Sequence, residues 1–189
     1  MFKRRVLYYQ NESPLFKQAI KKIPLDDLIN NRRSSGFSNG LGYTITGIEQ
    51  ADKHGANALL IVEGNEIVGA SGIYENCDQT DENGMYKCVA ATWIGATKER
   101  NGIGSIILSS VAKIALKTDL PIVINATLES LSFYKKLLGK SCLKSYMHFV
   151  VSQERIRSLA KLSDLPVERE KSTGNLQLAI NKKELELEI

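Results

Sequence analysis

The pattern of hydrophobic and polar positions changes near residue 57, from helical and loop-rich sequence to a series of short apolar runs. In the first part, Ser13 before Pro14 is typical of an N-cap followed by proline in the first helical turn, and Pro24 ends the helix that they open. The elements predicted here are a strand over 6–9, a helix over 14–22, a short helix over 26–31 and a flexible loop over 34–42.

The second part predicts mainly strands, with amphipathic helices between them. Gly64 and Asn65 are typical of a hairpin turn, Gly139 is a typical helix end, and Ile107 and Val111 begin a buried helical stripe. The predicted elements are strands over 58–62 and 67–74, a polar loop over 76–84, a strand over 86–96, a helix after Gly104, a strand over 121–125, a helix over 129–138, a strand over 144–151 and a helix over 153–162.

The C-terminal tail alternates apolar and polar residues. The apolar positions are Leu176, Leu178 and Ile180, followed after a polar break by Leu185, Leu187 and Ile189. A two-residue repeat places alternate side chains on one face of a strand, so the tail predicts two amphipathic strands in a terminal hairpin. The free edge of such a strand invites pairing with a second copy, which makes a homodimer an open expectation.

Strands, a glycine-opened helix and further strands together predict an α/β or α+β fold around one mixed sheet. No repeat or linker divides the 189 residues, so one domain is expected over 1–189. It comprises a helical and loop-rich segment (1–56), a central core (57–151), and a helical insertion with C-terminal strands (152–189).

The composition, with 43% hydrophobic and 24% charged residues, is that of a folded protein and excludes collagen-like and largely disordered classes. No apolar run approaches the roughly 20 residues of a membrane span, and no signal-peptide region follows the basic start, so a soluble, cytoplasmic protein is expected. Three cysteines and two histidines lie at no ligand spacing. The sequence therefore predicts neither a metal site nor a disulfide framework.

The net charge of +4 is unevenly distributed. Eight basic and three acidic residues lie within positions 1–35, so this segment carries +5 and the remainder −1. Such a segment could contact the phosphates of a cofactor or a nucleic acid. The alternative is a solvated basic surface, which is favoured because no aromatic residues interleave the charges.

The segment 94–105 carries the clearest chemical signal, because a strand runs through two closely spaced glycines directly into a helix. Free backbone N–H groups and the helix dipole make such a turn a site for a pyrophosphate. Asn101, Gly102, Gly104 and Ser105 would supply donors, beside the fixed charge of Arg100. No Gly-Lys-Ser/Thr follows, which excludes a P-loop, and the third glycine of a dinucleotide fingerprint is missing.

A second segment, from Asn125 through Phe133-Tyr134 to Leu138-Gly139, follows about 30 residues later. Together the two segments resemble the GCN5-related N-acetyltransferase (GNAT) family. The strand end at Ile94-Gly95-Ala96 and the pair Gly102-Ile103-Gly104 match its cofactor signature. One position departs from it, because Glu99 stands where the family has Gln or Arg, and Arg100 is expected to take over.

The resemblance implies a mixed, mostly antiparallel sheet flanked by helices, here with a C-terminal strand extension, and acetyl-CoA as the cofactor. Tyr134 would be the general acid toward the CoA thiolate, and Glu75 is the first candidate for the general base. Asp78, Asp81, Glu82 or a chain of waters are the alternatives for the base. The implied cofactor-binding residues are Ile94, Ala96, Arg100, Asn101, Gly102, Ile103, Gly104, Ser105 and Asn125.

The resulting hypothesis is an N-acetyltransferase that passes an acetyl group from acetyl-CoA to a primary amine on a small molecule or peptide. Tyr74 and Trp93 could line the acceptor pocket, or they could simply be packed in the interior. Two alternatives stay open. One is a catalytically idle member of the fold that binds a partner, and the other is an enzyme acting on aminoacyl-tRNA in the manner of the family's toxins.

Overall fold

A computed structural model describes residues 3–35, 39–97 and 101–181, and within these ranges one eight-stranded sheet lies between two layers of helices. The strands are β1 (Arg4–Tyr9), β2 (Asn57–Glu63), β3 (Glu66–Asp81), β4 (Gly84–Ala96), β5 (Ile122–Asn125), β6 (Leu143–Ser145), β7 (His148–Val151) and β8 (Val167–Arg169). The helices are α1 (Pro14–Ile20), α2 (Leu25–Ser35), α3 (Asn39–Lys53), α4 (Ile103–Ala115), α5 (Leu131–Leu138) and α6 (Gln153–Ala160), with short 3₁₀ turns at Lys140–Cys142 and Glu170–Ser172.

The strand order is β6-β7-β5-β4-β3-β2-β1-β8. Only the β4–β5 and β1–β8 pairs are parallel, and the other neighbours are antiparallel. A mixed, mostly antiparallel α+β fold is therefore confirmed. The parallel β4–β5 pair lies in the middle of the sheet, and the candidate site is at this pair.

Each face of the sheet is covered by its own helices. Helices α4, α5 and α6 pack on one face, while α1, α2 and α3 pack on the other. Strand β1 alternates between the two cores, because Val6 and Tyr8 join the first and Leu7 and Tyr9 join the second. Because both faces of β1 are buried, residues 6–9 form a continuous apolar run in the sequence.

The N-terminal elements are largely those predicted. Ser13 caps α1 by accepting a hydrogen bond from the Phe16 N–H at 3.2 Å, and Pro14 occupies the first turn. The flexible loop expected over 34–42 is wrong for its described part, because residues 39–42 open α3. The prediction took Gly40 as a loop residue, whereas in the structure it lets the helix approach the sheet.

The polar loop expected over 76–84 is also wrong. Strand β3 continues to Asp81 and β4 starts at Gly84, so these residues form a two-stranded ribbon that extends beyond the neighbouring strands. Asp78 and Lys87 form a 2.7 Å ion pair across the ribbon. Solvent on both sides of the ribbon accounts for its polar composition, which the sequence prediction took for a loop.

The strand expected over 144–151 is divided into β6 and β7 by a turn at Tyr146 and Met147, the latter with φ of 60°. The helices expected over 129–138 and 153–162 are present as α5 and α6. No described helix combines the length and the apolar character needed to cross a membrane.

The C-terminal region departs further from its prediction. β8 pairs in parallel with β1, although no strand was expected at 167–169. The first tail strand is wrong, because residues 175–181 form no strand and make a single bridge, Glu66 with Ala179, beside the β2–β3 turn. Leu178 and Ile180 are nevertheless buried, as their alternation predicts. The second tail strand, with Leu185, Leu187 and Ile189, lies outside the described residues.

Candidate functional site

The sheet opens between β4 and β5. These strands pair at only two positions, Val89 with Ile122 and Ala90 with Val123, whereas β4 continues to Ala96 alongside β3. Beyond Ala90, β4 has no strand on its β5 side among the described residues. Backbone groups on that side are therefore free to bind another chain-like molecule, and the gap forms a cleft of about 520 Å³.

A bulge in β4 shapes the wall of this cleft. Thr92 pairs with Gly72 and Gly95 with Ala70, so Trp93 and Ile94 together face the single residue Ser71. Trp93 adopts φ of 52°, a left-handed conformation that is uncommon for a bulky residue. Such an extra residue bends a strand and redirects its side chains. Here both Trp93 and Ile94 line the cleft, and Trp93 stays 44% exposed.

Helix α3 holds this bulge in place by very close backbone packing. A Cβ added to Gly95 would lie 2.2 Å from the Thr44 backbone nitrogen, and one added to Gly40 would lie 2.2 Å from the Ala96 carbonyl oxygen. Gly47 lies against the Trp93 carbonyl in the same way. Three positions without side chains thus let α3 cross β4 almost in backbone contact, which fixes Tyr43 of α3 beside Trp93 at 5.9 Å between ring centroids.

The N-terminus of α4 lies next to the open end of β4. Gly102 caps the helix with φ of 74°, and the Ile106 N–H makes the first helical bond, to the Gly102 carbonyl at 3.1 Å. The preceding N–H groups of Ile103, Gly104 and Ser105 therefore have no partner within the helix. Ile103 is buried and its side chain packs against Gly69, so only its backbone can contact a ligand.

The loop that leads into α4 is attached to the other end of the sheet by an arginine. Arg4 of β1 donates from Nη1 to the Asn101 carbonyl at 2.8 Å, and its Nε forms a 2.6 Å ion pair with Glu63 of β2. This contact joins residues 97 positions apart. Arg4 thus fixes the backbone of the glycine turn, while Glu63 balances its charge.

Helix α5 brings Tyr134 to the opposite wall of the cleft. Thr127 and Ser130 exchange hydrogen bonds in the turn before this helix, with Ser130 Oγ accepting from the Thr127 N–H at 2.9 Å. Phe133 packs against Gly104, which ties α5 to the N-terminus of α4. Tyr134 lines the cleft at 5% exposure, and burial raises its pKa above the usual value, with a smaller contribution from Tyr43.

The lining of the cleft consists of apolar and neutral polar residues. They are Tyr43, Tyr74, Cys77, Gln79, Ala90, Ala91, Thr92, Trp93, Ile94, Val123, Asn125, Thr127, Ser130 and Tyr134. Within the part of the chain that the structure describes, no carboxylate or imidazole is among these lining residues. The cleft can therefore hold a neutral thioester arm, but its described walls supply no strong base.

Asn125 lies at the end of β5, as predicted, and its amide has a defined orientation. Its Oδ1 lies 2.7 Å from Nδ1 of His148 on the neighbouring strand β7. When Nδ1 carries the proton, the imidazole donates to Oδ1 and the Asn125 amino group is left to donate into the cleft. His148 is a part of the site that sequence reasoning missed, since only strand pairing brings it next to Asn125.

Glu75 lies away from the cleft lining. It accepts hydrogen bonds from the hydroxyl of Tyr8 and from Nδ2 of Asn57, the latter at 3.3 Å. Tyr8 is fully buried, and its pKa is raised by burial and by this carboxylate. The alternatives Asp78 and Asp81 lie on the ribbon, where Asp78 is paired with Lys87 and Asp81 accepts from the Asn83 N–H.

The structure therefore groups most of the predicted residues. Ile94, Asn125 and Tyr134 share the cleft, and Asn101, Gly102, Ile103, Gly104 and Ser105 form the turn and first helical residues beside it. Ala96 ends the open strand, with its carbonyl toward α3. Arg100 and Glu99 lie outside the described residues. Tyr43 was missed because no element was predicted between the loop that ends at residue 42 and the strand over 58–62.

Comparison with solved structures finds the same architecture in toxin complexes. A Tyr-to-Phe mutant of the AtaT toxin bound to the C-terminus of the antitoxin AtaR is 13% identical, covers 86% of this chain and 99% of its own, and has a TM-score of 0.54. The KacTA–DNA complex is 10% identical, covers 83% of this chain and 98% of its own, and has a TM-score of 0.55. The AtaT mutant bound to the AtaR C-terminus and acetyl-CoA is 13% identical, covers 67% of this chain and 89% of its own, and has a TM-score of 0.50.

No known family pattern matches the sequence, and no curated protein matches it either. At identities of 10–13%, these similarities support a shared fold and nothing finer. That fold is the GNAT fold, as the two sequence segments predict.

Proposed function

We propose that this protein is an acetyl-CoA-dependent N-acetyltransferase that transfers the acetyl group directly to a primary amine within a ternary complex. The observation that supports it most is the position of the β4–β5 opening. Tyr134 lines the cleft at this opening, and Phe133 beside it packs against Gly104 at the N-terminus of α4, so one linear thioester cofactor would reach both. A GNAT-fold neighbour solved with acetyl-CoA supports the same assignment.

In this proposal the pyrophosphate of CoA binds the free N–H groups of Ile103, Gly104 and Ser105. Unpaired helical N–H groups and the helix dipole favour an anion there. The pantetheine arm extends a sheet-like pairing along the open side of β4 near Ile94, and Asn125 donates its amide from the facing strand. The apolar lining keeps water from the thioester.

The chemical step is attack of the neutral amine on the thioester carbonyl. A C–N bond forms, and the negative charge on the carbonyl oxygen is stabilised by a backbone N–H of the bulged strand. The intermediate then collapses, the C–S bond breaks, and Tyr134 gives its proton to the sulfur. Glu75 is engaged by Tyr8 and Asn57, so we route the amine's proton to solvent water.

The first test is titration calorimetry with acetyl-CoA and, separately, with CoA. We expect both to bind in the micromolar range. Gly102→Asp, which places a carboxylate beside the pyrophosphate, should weaken binding at least about fivefold, since two charges a few ångströms apart near a protein surface interact by roughly 1–4 kcal/mol.

The matched control is Gly102→Asn, which has nearly the same shape, is neutral, and tolerates the positive φ. It should bind acetyl-CoA within about threefold of the parent chain, a difference of less than 1 kcal/mol. Equal weakening by both variants would remove the pyrophosphate from the α4 turn. No binding of acetyl-CoA or CoA to the parent protein would leave a fold member that serves only in partner recognition.

A second candidate function is acetylation of an amine carried by a nucleic acid, such as aminoacyl-tRNA. Positions 131–161 hold seven basic residues and one acidic residue. The exposed basic residues among these are Lys136, Lys140, Lys144, Arg157 and Lys161. The exposed Tyr146 lies among them in sequence. In contrast, Arg4, Arg5 and Lys17 of the N-terminal basic segment are paired with carboxylates.

RNA binding distinguishes the two candidates. If the acceptor is carried on RNA, the affinity for tRNA should fall steeply with salt, because each neutralised phosphate releases a counterion. The double variant Lys140→Gln/Lys144→Gln should then reduce the slope of log K against log[salt] by about 1 to 2. The control Lys21→Gln/Lys22→Gln, on the opposite layer, should leave it unchanged. Absence of binding at low salt would exclude this candidate.

A further inference from the structure

Two cysteines face each other across β3 and β4, at the base of the two-stranded ribbon. Cys77 and Cys88 are directly paired in the antiparallel register, and their sulfur atoms lie 3.4 Å apart. Directly opposed residues of antiparallel strands have Cα atoms about 4.5–5.5 Å apart, which lies inside the 4.4–6.8 Å range found for disulfides. A bond between these sulfurs needs side-chain rotation and no movement of the strands.

The two thiols differ in their access to solvent. Cys77 is half-buried and lines the cleft, whereas Cys88 is completely buried beneath it. Burial raises the pKa of Cys88 to about 12, with a further contribution from the hydrogen bond to Cys77. Cys77 is thus the thiol that a small molecule can reach, and Cys88 is a neighbour held in position to react with it.

The third cysteine is separate from this pair. Cys142 is buried in the 3₁₀ turn after α5, and its sulfur lies 3.1 Å from the Leu138 carbonyl oxygen. It has no sulfur neighbour among the described cysteines. Cys142 therefore serves as an internal control, a thiol that should stay reduced when Cys77 and Cys88 are oxidised.

We propose that Cys77 and Cys88 form a reversible intramolecular disulfide by exchange with a low-molecular-weight disulfide such as oxidised glutathione. The Cys77 thiolate attacks one glutathione sulfur, and a mixed disulfide forms as the other glutathione leaves as a thiol. The Cys88 sulfur then attacks the Cys77 sulfur, the Cys88 proton passes to the departing glutathione sulfur, and the second glutathione leaves as a thiol. Two protein thiols are oxidised, and one small disulfide is reduced to two thiols.

The bond would change the molecule at two points. It closes the ribbon at its base, where β3 and β4 have lost the support of β2 and β5. It also withdraws the Cys77 sulfur from the cleft wall. The proposal stands on the two side chains and does not depend on the acetyltransferase assignment.

The test is thiol alkylation followed by peptide mass spectrometry. Fully reduced protein is incubated with a large excess of oxidised over reduced glutathione, quenched with acid, alkylated under denaturing conditions and digested. We expect two of the three thiols to become unavailable, with Cys77 and Cys88 recovered in one cross-linked peptide and Cys142 alkylated. Addition of dithiothreitol should restore all three.

Single variants separate the two steps. Cys88→Ser should stop at the mixed disulfide and carry one glutathione on Cys77, while Cys77→Ser should carry none. Cys142→Ser, the matched control, should form the Cys77–Cys88 bond as the parent chain does. Three free thiols after oxidation, a bond to Cys142, or a disulfide between two molecules would each overturn the proposal, and circular dichroism of each variant establishes that it is folded.

Discussion

Tyr134→Phe is expected to lower kcat for acetyl transfer by roughly 100- to 10,000-fold, the range typical of losing a general acid. The substitution removes one oxygen atom and keeps the ring that packs 5.9 Å from Phe149 and against Phe133. The affinity for acetyl-CoA should therefore stay within about twofold of the parent chain, a free-energy difference below 1 kcal/mol. Release of free CoA thiol under saturating substrates measures kcat, and calorimetry measures the affinity.

Tyr74→Phe is the matched control. Tyr74 also lines the cleft, but its hydroxyl donates to Gln50 Oε1 at 3.0 Å and lies 3.1 Å from the His54 carbonyl oxygen, so it is directed into α3 and its C-terminal end. Its removal should leave kcat within a few fold. An unchanged kcat in Tyr134→Phe, or equal losses in both variants, would contradict the assigned role.

The pH dependence of kcat gives the same hypothesis a second check. Burial raises the pKa of Tyr134 above the value of about 10 of a free phenol. The phenol therefore stays protonated throughout the neutral and mildly alkaline range, and its ionisation should cause no fall in kcat below about pH 10. A decline centred near pH 8 would have to come from another group.

Gly95→Ala is expected to have the second large effect, on stability and on cofactor binding together. Its new Cβ would lie 2.2 Å from the Thr44 backbone nitrogen, and a backbone atom of a packed helix cannot rotate away. Overpacking typically costs 1–3 kcal/mol, so we expect about 3 kcal/mol, or a Tm lower by roughly 6–12 °C for a chain of this size. Because α3 holds the bulge, acetyl-CoA binding should weaken as well.

Gly174→Ala serves as the control. This glycine has φ of 53°, and its added Cβ would meet no atom within 4 Å. Only the backbone conformation opposes the substitution, which should cost about 1 kcal/mol and leave acetyl-CoA binding unchanged. Scanning calorimetry compares the two variants. Equal decreases in Tm would show that the close approach of α3 to β4 is not what makes Gly95 necessary.

The sequence carries enough information for the core of the fold and for one wall of the site. The turn around Gly102 and Gly104 is recognisable because the positive φ of Gly102 favours glycine and a Cβ on Gly104 would lie 2.9 Å from the Phe133 ring. Tyr134 and Asn125 are found through a second segment at a fixed distance along the chain. Strands are recovered wherever burial on one or both faces leaves an apolar run or an alternation.

The segments whose structure was predicted wrongly have one physical feature in common. Their residues make contacts with residues that are distant in sequence, and a local pattern does not show such contacts. The glycines at 40 and 47 belong to a helix that lies against β4, yet glycine is a poor helix former when considered alone. The ribbon around Asp78 is polar because it lacks neighbours. Arg4, His148 and β8 act through partners that only the folded sheet brings together, and no local pattern marks them.

The parallel pairing of β1 with β8 also has a consequence for biosynthesis. Val6 aligns with Val167, and Arg5 binds Glu168 through two bonds of 2.9 and 2.6 Å, so β1 is completed by a strand that is synthesised long after it. At translation rates of 5–20 residues per second, roughly 8–32 s separate the synthesis of the two strands. During that interval the edge of nascent β1 that later pairs with β8 is unpaired, and an unpaired strand edge is open to pairing with another chain.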